Sequence, residues 1–134
     1  MLVFLDFDGT VVEHQYPAIG AYNEGCFEVV SALQNAGHEI VLNTYRTELE
    51  ETSLKEAIDF LNSSEAISKV LNRTTKKINP QAWDVEKAIE TGVLYLDDIA
   101  LGIPLKNAKH SNTQMVDWLI VKEHLDSFNL FEKK

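Results

Sequence analysis

The sequence predicts an α/β fold: a Rossmann-like parallel sheet flanked by helices on both faces. Two observations carry that expectation. Short apolar runs that do not alternate with polar residues recur along the chain, the pattern of strands buried on both faces. Longer stretches with helical spacing separate them, so strand and helix alternate as in right-handed βαβ units.

The elements follow in order. "LVFLDF" (2–7) reads as the first strand, and a loop with Pro17 and Gly20 comes after it. Phe27, Val29, Val30, Leu33 and Ala36 form one helical stripe, which Gly37 stops. "EIVLNT" (39–44) is the second strand, and Leu54, Ala57, Ile58 and Leu61 place "ETSLKEAIDFLN" on a helix. "KVLN" (69–72) is a weaker strand. Pro80 suits the first turn of a helix over "PQAWDVEKAIE", closed by Gly92. "VLYLDD" (93–98) is the last clear strand. "LKNAKHSNTQ" has no pattern, and "TQMVDWLIVKEHLDSF" predicts a terminal helix with Val116, Leu119 and Ile120 on one face. No repeat or linker interrupts the chain, so residues 1–134 read as one domain.

Composition narrows the function classes. With 134 residues, 45% hydrophobic and 25% charged, the chain resembles an ordinary globular domain that buries roughly 65–70% of its unfolded surface. The single Cys26 cannot form an internal disulfide, which leans towards a reducing compartment. No run approaches the ~20 apolar residues of a membrane span, and the start lacks signal-peptide features. The expectation is a cytoplasmic protein with no membrane partner. A net charge of −9 repels polyanions and argues against a general nucleic-acid binder. Lys69, Arg73, Lys76 and Lys77 nevertheless gather in one stretch, either a solvated loop or an anion-facing patch.

Ligands of open α/β sheets bind beyond the carboxyl ends of the strands. Those ends here are Asp6 and Asp8, Asn43 and Thr44, and Asp97 and Asp98. Converging carboxylates are costly unless a cation joins them or some are protonated. An all-oxygen set favours Mg²⁺ over Zn²⁺. Phosphate is the usual companion of such a cation, with Thr44 as a donor and a lysine to balance charge.

"DFDGT" (6–10), the apolar run ending in Thr44, a lysine before the last strand and the pair Asp97–Asp98 resemble, in that order, the four motifs of the haloacid dehalogenase-like superfamily. The resemblance spans roughly residues 2–104. It implies that Asp6 is the nucleophile of an aspartyl-phosphate route and Asp8 the general acid and base. The acid at position 8 favours phosphate transfer over carbon–halogen chemistry. Asp6, Asp97 and the main-chain carbonyl of Asp8 would be Mg²⁺ ligands, supported by Asp98. Gly9 would turn the chain out of the strand, followed by the small polar Thr10, and both would lie against the substrate. The phosphate-binding lysine is Lys87, on the helix feeding the last strand, or else Lys77 on the preceding loop; the placement of Lys87 favours it.

Arg46 offers a fork for a phosphate or a substrate carboxylate, or a surface salt bridge to Glu48, Glu50 or Glu51. Glu13 and His14 begin a stretch similar to an "EH..YP" segment of small phosphatase-like members, which places His14 at the substrate. His38 and His124 read as structural or solvated, and His110 stays open. No cap domain fits this chain, so residues 13–22 are the local lid candidate. Capless members act on accessible substrates or complete the site with another subunit, which raises a homo-oligomer. Ile99 stands where relatives often place a polar residue.

The expected function is a Mg²⁺-dependent phosphomonoester phosphatase acting on a small phosphorylated substrate. A nucleotide or polynucleotide-end phosphatase and a non-catalytic phospho-ligand-binding module are the alternatives.

Overall fold

The computed structural model describes residues 1–133. Four parallel strands, β1 (Leu2–Leu5), β2 (Glu39–Leu42), β3 (Leu71–Asn72) and β4 (Val93–Leu96), form a sheet in the order β3-β2-β1-β4. The helices α1 (Cys26–Asn35), α2 (Glu51–Asn62), α3 (Val85–Thr91) and α4 (Trp118–Ser127) flank it. A two-stranded antiparallel ribbon, β5 (Leu105–Asn107) and β6 (Gln114–Val116), lies apart from the sheet. Among the described residues no helix is long and apolar enough to cross a membrane.

Register is what matters for the site. Leu5 of β1 aligns with Leu42 on one side and Leu96 on the other. The next residues, Asp6, Asn43 and Asp97, therefore leave the sheet side by side. Main-chain bonds from Asp6 N–H to Leu96 O (2.9 Å) and from Asn43 N–H to Leu5 O (2.7 Å) hold that alignment one step past the strands.

Side chains alternate across a strand, and the two faces of the sheet differ. Val3, Leu5, Ile40, Leu42, Leu94 and Leu96 are all buried in one hydrophobic cluster with α1, α2 and α4. On the other face Phe4 and Tyr95 are only half-buried and stack on each other at 5.3 Å. The expectation of strands buried on both faces holds in part for β1 and β4, where Phe4 and Tyr95 keep some exposure on the second face.

The stripe of α1 falls where its spacing places it, with Val29, Val30 and Leu33 buried and Gly37 beyond the end at φ +97°. Cys26 joins that stripe, and burial pushes its thiol up, so it is inert rather than nucleophilic. Two helices differ from expectation. The helix predicted from Pro80 begins instead at Val85, where the Asp84 carboxylate accepts the N–H of Lys87 (3.0 Å). A capping aspartate outweighs the proline signal, and residues 80–84 form no helix, with Trp83 N–H bonded to Leu101 O (2.8 Å). The terminal helix starts at Trp118, capped by Asp117. It buries Trp118, Val121 and Leu125, while Leu119 and Ile120 are exposed and Val116 belongs to β6. The indole of Trp118 is the larger apolar surface, so its i, i+3, i+7 stripe turns inward.

Candidate functional site

After β1 the chain folds into a tight turn, with Thr10, Val11 and Val12 N–H groups all directed at Phe7 O. Gly9 sits at φ +82°, and a Cβ there would come within 2.5 Å of both Asp98 Oδ2 and His14 Nε2. Glycine is required at this position both for the backbone angle and for the close approach of those two side chains. The expectation that Gly9 and Thr10 touch substrate is corrected. Thr10 is fully buried, donates its hydroxyl to Asp6 Oδ2 (3.0 Å) and accepts Asp98 N–H (3.2 Å). It ties the first strand end to the last.

One carboxylate oxygen each from Asp6, Asp97 and Asp98 lies within 4.8 Å of the others. Lys77 enters this cluster, its Nζ 3.0 Å from Asp6 Oδ1 and 2.8 Å from Asp97 Oδ2. Its side chain is only 2% exposed. Lys77 is thus the lysine of the site, and the preference for Lys87 is corrected. Lys87 is exposed in the first turn of the short α3 and lines a separate recess with Trp83, Thr91 and Tyr95. Lys77 is placed instead by Asn43, whose amide forms reciprocal bonds of 2.8 Å to Ile78 N–H and Ile78 O. Asn43 is a positioning residue whose signal was available, since it is the polar end of β2.

Arg46 is also corrected. It neither meets a surface glutamate nor points an unused fork at a ligand, for it is 1% exposed and every N–H is spent. Nε and Nη2 grip Asp8 Oδ2 and Oδ1 at 2.7 and 2.8 Å. The remaining donors reach Ser53 O (3.0 Å), Ala18 O (2.9 Å) and Pro17 O (3.4 Å). One guanidinium therefore joins the first strand end, α2 and the loop after β1. Asp8 keeps its carboxylate in this pair and outside the acidic cluster, leaving only its main-chain carbonyl for a metal.

The loop 13–22 is tied down as well. Glu13 is buried and accepts both His110 N–H (2.7 Å) and a bond with His110 Nδ1 (2.8 Å). Gln15 donates to His110 O (2.9 Å). His110 thereby gains a structural role, and the loop walls the crevice with hydrogen bonds at Glu13, Gln15, Pro17 and Ala18. Trp118 Nε1 and Asn23 Nδ2 both donate to Thr10 O, at 2.8 and 3.0 Å. These long-range supports carry no local sequence signal.

The electrostatics follow from burial. Desolvation, then the charge of Asp97, pushes Asp6 well above the usual carboxylate range, with Lys77 opposing. Burial also raises Asp97, again against Lys77. Burial works to raise Asp98 too, but hydrogen bonds from His14 (3.0 Å) and Asp6 outweigh it and hold it low. The same bond to Asp98 raises His14 despite its partial burial. Burial depresses Lys77, yet Asp6 and Asp97 lift it above its ordinary value.

The cluster fits a hard cation. Its donors are all carboxylate oxygens. Asp97 Oδ2 is buried and receives no well-directed hydrogen bond, because Lys77 approaches closely but off-angle. Asp6, Asp97 and Asp98 would hold the ion. Thr44, 1% exposed, accepts Arg46 N–H (3.2 Å) and faces the cavity. Its hydroxyl hydrogen has no acceptor among the described residues. The cavity above these groups measures about 180 Å³.

The basic stretch does not form one patch. Lys69 and Arg73 border a groove beside Gly37 and Glu39, away from Lys77.

No family model matches this chain, and no curated protein does. The chain is similar to the solved structure of a conserved protein from Bacteroides thetaiotaomicron, at 26% identity and a TM-score of 0.62, over 96% of this chain and 91% of that one. That likeness and the sheet order together establish an α/β, Rossmann-like fold.

Proposed function

We propose that this chain is a Mg²⁺-dependent phosphomonoester phosphatase of the haloacid dehalogenase-like kind, working through an aspartyl-phosphate on Asp6. The observation that carries the reading is one buried meeting point. Asp6, Asp97 and Asp98 come from two strand ends and Lys77 from a distant loop, and nothing in packing the sheet requires them together. Buried charges are retained against a desolvation cost, and clustered perturbed groups mark functional sites.

In the first step an Asp6 oxygen bonds to phosphorus as the ester P–O bond breaks. Asp8 gives its proton to the leaving oxygen. In the second step water attacks phosphorus, Asp8 takes a proton from that water, and the bond to Asp6 breaks to release phosphate. Arg46 fixes the direction of the Asp8 carboxylate through its two-pronged grip. Lys77 and the Thr44 hydroxyl face the transferring oxygens and stabilise their charge. Bound at Asp6, Asp97 and Asp98, Mg²⁺ would supply a Lewis acid that neutralises phosphate charge. Lys69 and Arg73 border a groove that Lys77 does not line, so the basic stretch does not add one continuous anion-facing patch to this site. The buried thiol of Cys26 suits a reducing, cytoplasmic setting.

The test is phosphate release from a phosphomonoester panel with and without Mg²⁺. Wild-type protein should turn over only with Mg²⁺, and Asp6→Asn should lose at least 1,000-fold, about 4 kcal/mol of barrier. Turnover that survives in Asp6→Asn overturns the mechanism. Absence of turnover together with absence of Mg²⁺ binding favours the non-catalytic module.

A further inference from the structure

Resting on the phosphatase reading, we infer a substrate class for this site: an ester carrying a single phosphate and one uncharged, flat ring. The inference comes from the mouth of the cavity, not from its floor. Tyr16, Tyr45, Leu49 and Ile99 line it, and they are 41%, 49%, 52% and 54% exposed. Large apolar side chains left half in water around a charged crevice form a surface suited to an apolar group.

Each of the two tyrosine rings packs on a cation of the site. Tyr45 lies over Lys77 Nζ at 4.6 Å from its centroid, and Tyr16 lies over the Arg46 guanidinium at 5.1 Å. Each ring gives one face to a buried cation and remains about half exposed beside the cavity. A planar ring entering above the phosphate meets aromatic and aliphatic surface of this kind.

Charge sets the second limit. The cations at the cavity are Arg46, Lys77 and His14. Arg46 spends all its donors on Asp8, Ser53, Pro17 and Ala18. Lys77 is held by Asp6 and Asp97, and His14 by Asp98. After one phosphate is bound on the floor, none of these cations is left over at the mouth for a second. Sugar bisphosphates and nucleoside di- or triphosphates would carry unpaired charge against the apolar rim.

Volume sets the third. A dry cavity of roughly 150 Å³ accepts one benzene ring, and this one, which also takes the phosphate, measures about 180 Å³. The phosphate and one ring lying partly in the open mouth fill it, with no room for a second ring.

The experiment compares kcat/KM, with Mg²⁺, for 2-phenylethyl phosphate, glycerol 1-phosphate and a hexose bisphosphate. With fructose 1,6-bisphosphate as the bisphosphate, all three release primary alkyl leaving groups of similar reactivity. Preference for 2-phenylethyl phosphate by tenfold or more, falling at least fivefold in Leu49→Ser and in Ile99→Ser chiefly through KM, supports the inference. Equal rates for the three esters, or preference for the bisphosphate, overturn it while leaving the phosphatase reading intact. Hydrolysis of none overturns the phosphatase reading, and binding of non-hydrolysable phosphonates then decides the rim alone. Tighter binding of 2-phenylethylphosphonate than of methylphosphonate supports an apolar ring subsite, and equal binding overturns it.

Discussion

The two ends of the sheet use charge in opposite ways. At the carboxyl ends of β1, β2 and β4, Arg46 and Lys77 are almost wholly buried against Asp8, Asp6 and Asp97. At the start of β2, Arg73 reaches Glu39 with the two side chains 50% and 60% exposed. Each pairs a basic side chain with a carboxylate, but the access of solvent differs. A buried pair is strongly coupled to its surroundings because neither partner can return to water, whereas an exposed pair loses little when broken. The difference teaches where this fold tolerates desolvation, and the tolerated place is the crevice in which α/β folds bind ligands.

Arg46→Met should show the contrast most strongly. It removes a bidentate partner from Asp8 and donors from three main-chain carbonyls, Pro17, Ala18 and Ser53. Breaking a buried pair from one side costs about 3–5 kcal/mol, read as a lower urea midpoint at unchanged m. Pairing it with Asp8→Asn should recover part of the loss. A cost below that of an exposed pair would mean the two ends do not differ.

Glycines repeat the comparison without charge. Gly37, before β2, has φ +97° and nothing within 4 Å of an added Cβ, so Gly37→Ala meets only the left-handed backbone cost of about 1–2 kcal/mol. Gly9→Ala adds an overlap with His14 and Asp98, for a total of about 2–5 kcal/mol. Thermal unfolding of the two variants measures the difference. Equal shifts would mean His14 and Asp98 part freely.

Acid separates two kinds of buried carboxylate. Hydrogen bonds from His110 hold Glu13 below its ordinary value, overcoming burial. Its contribution is therefore present above the unfolded value of 4.5 and is lost as pH falls through the lower folded one. Asp6 and Asp97 are raised by burial, so the folded state holds their protons more readily than the unfolded chain. Their effect has the opposite sign: stability declines as pH rises from the unfolded value of 3.8 through their folded values. Glu13→Gln should be less stable than wild type at pH 7, with the gap closing below pH 4.5 in urea titrations. A gap constant with pH would show that the His110 clasp depends on shape, not on charge.

Much of this arrangement was legible along the chain and some was not, for physical reasons. Asp6, Asn43 and Asp97 could be read because each directly follows an apolar run, and parallel register brings strand ends together. Thr44 and Asp98 come with them. Lys77 was ambiguous because its position depends on a loop, held by Asn43 from across the crevice. Lys87 misled because Pro80 is a local start signal that the Asp84 cap overrides. Arg46 was found but mispaired: its partner Asp8 is distant in sequence, whereas the glutamates Glu48, Glu50 and Glu51 are close. Contacts between remote segments, such as Glu13 with His110 and Thr10 with Trp118, leave no periodicity to detect.

The smallest effect is expected where the comparison began, at the exposed pair. Arg73→Ala removes the partner of Glu39 at the edge of the groove beside Gly37. Both groups regain water when the pair opens, so desolvation does not amplify the loss, and about 0–1 kcal/mol is expected. Salt distinguishes this from any hidden packing role, because a Debye length of about 8 Å at physiological ionic strength shortens to about 3 Å at 1 M. The gap between wild type and Arg73→Ala should vanish in 1 M NaCl, while the gap between wild type and Arg46→Met should persist. If the Arg73 gap survives the salt, its aliphatic stem against Leu71 and Ile40 stabilises the edge strand, and the amino end of the sheet depends on packing more than its exposure implies.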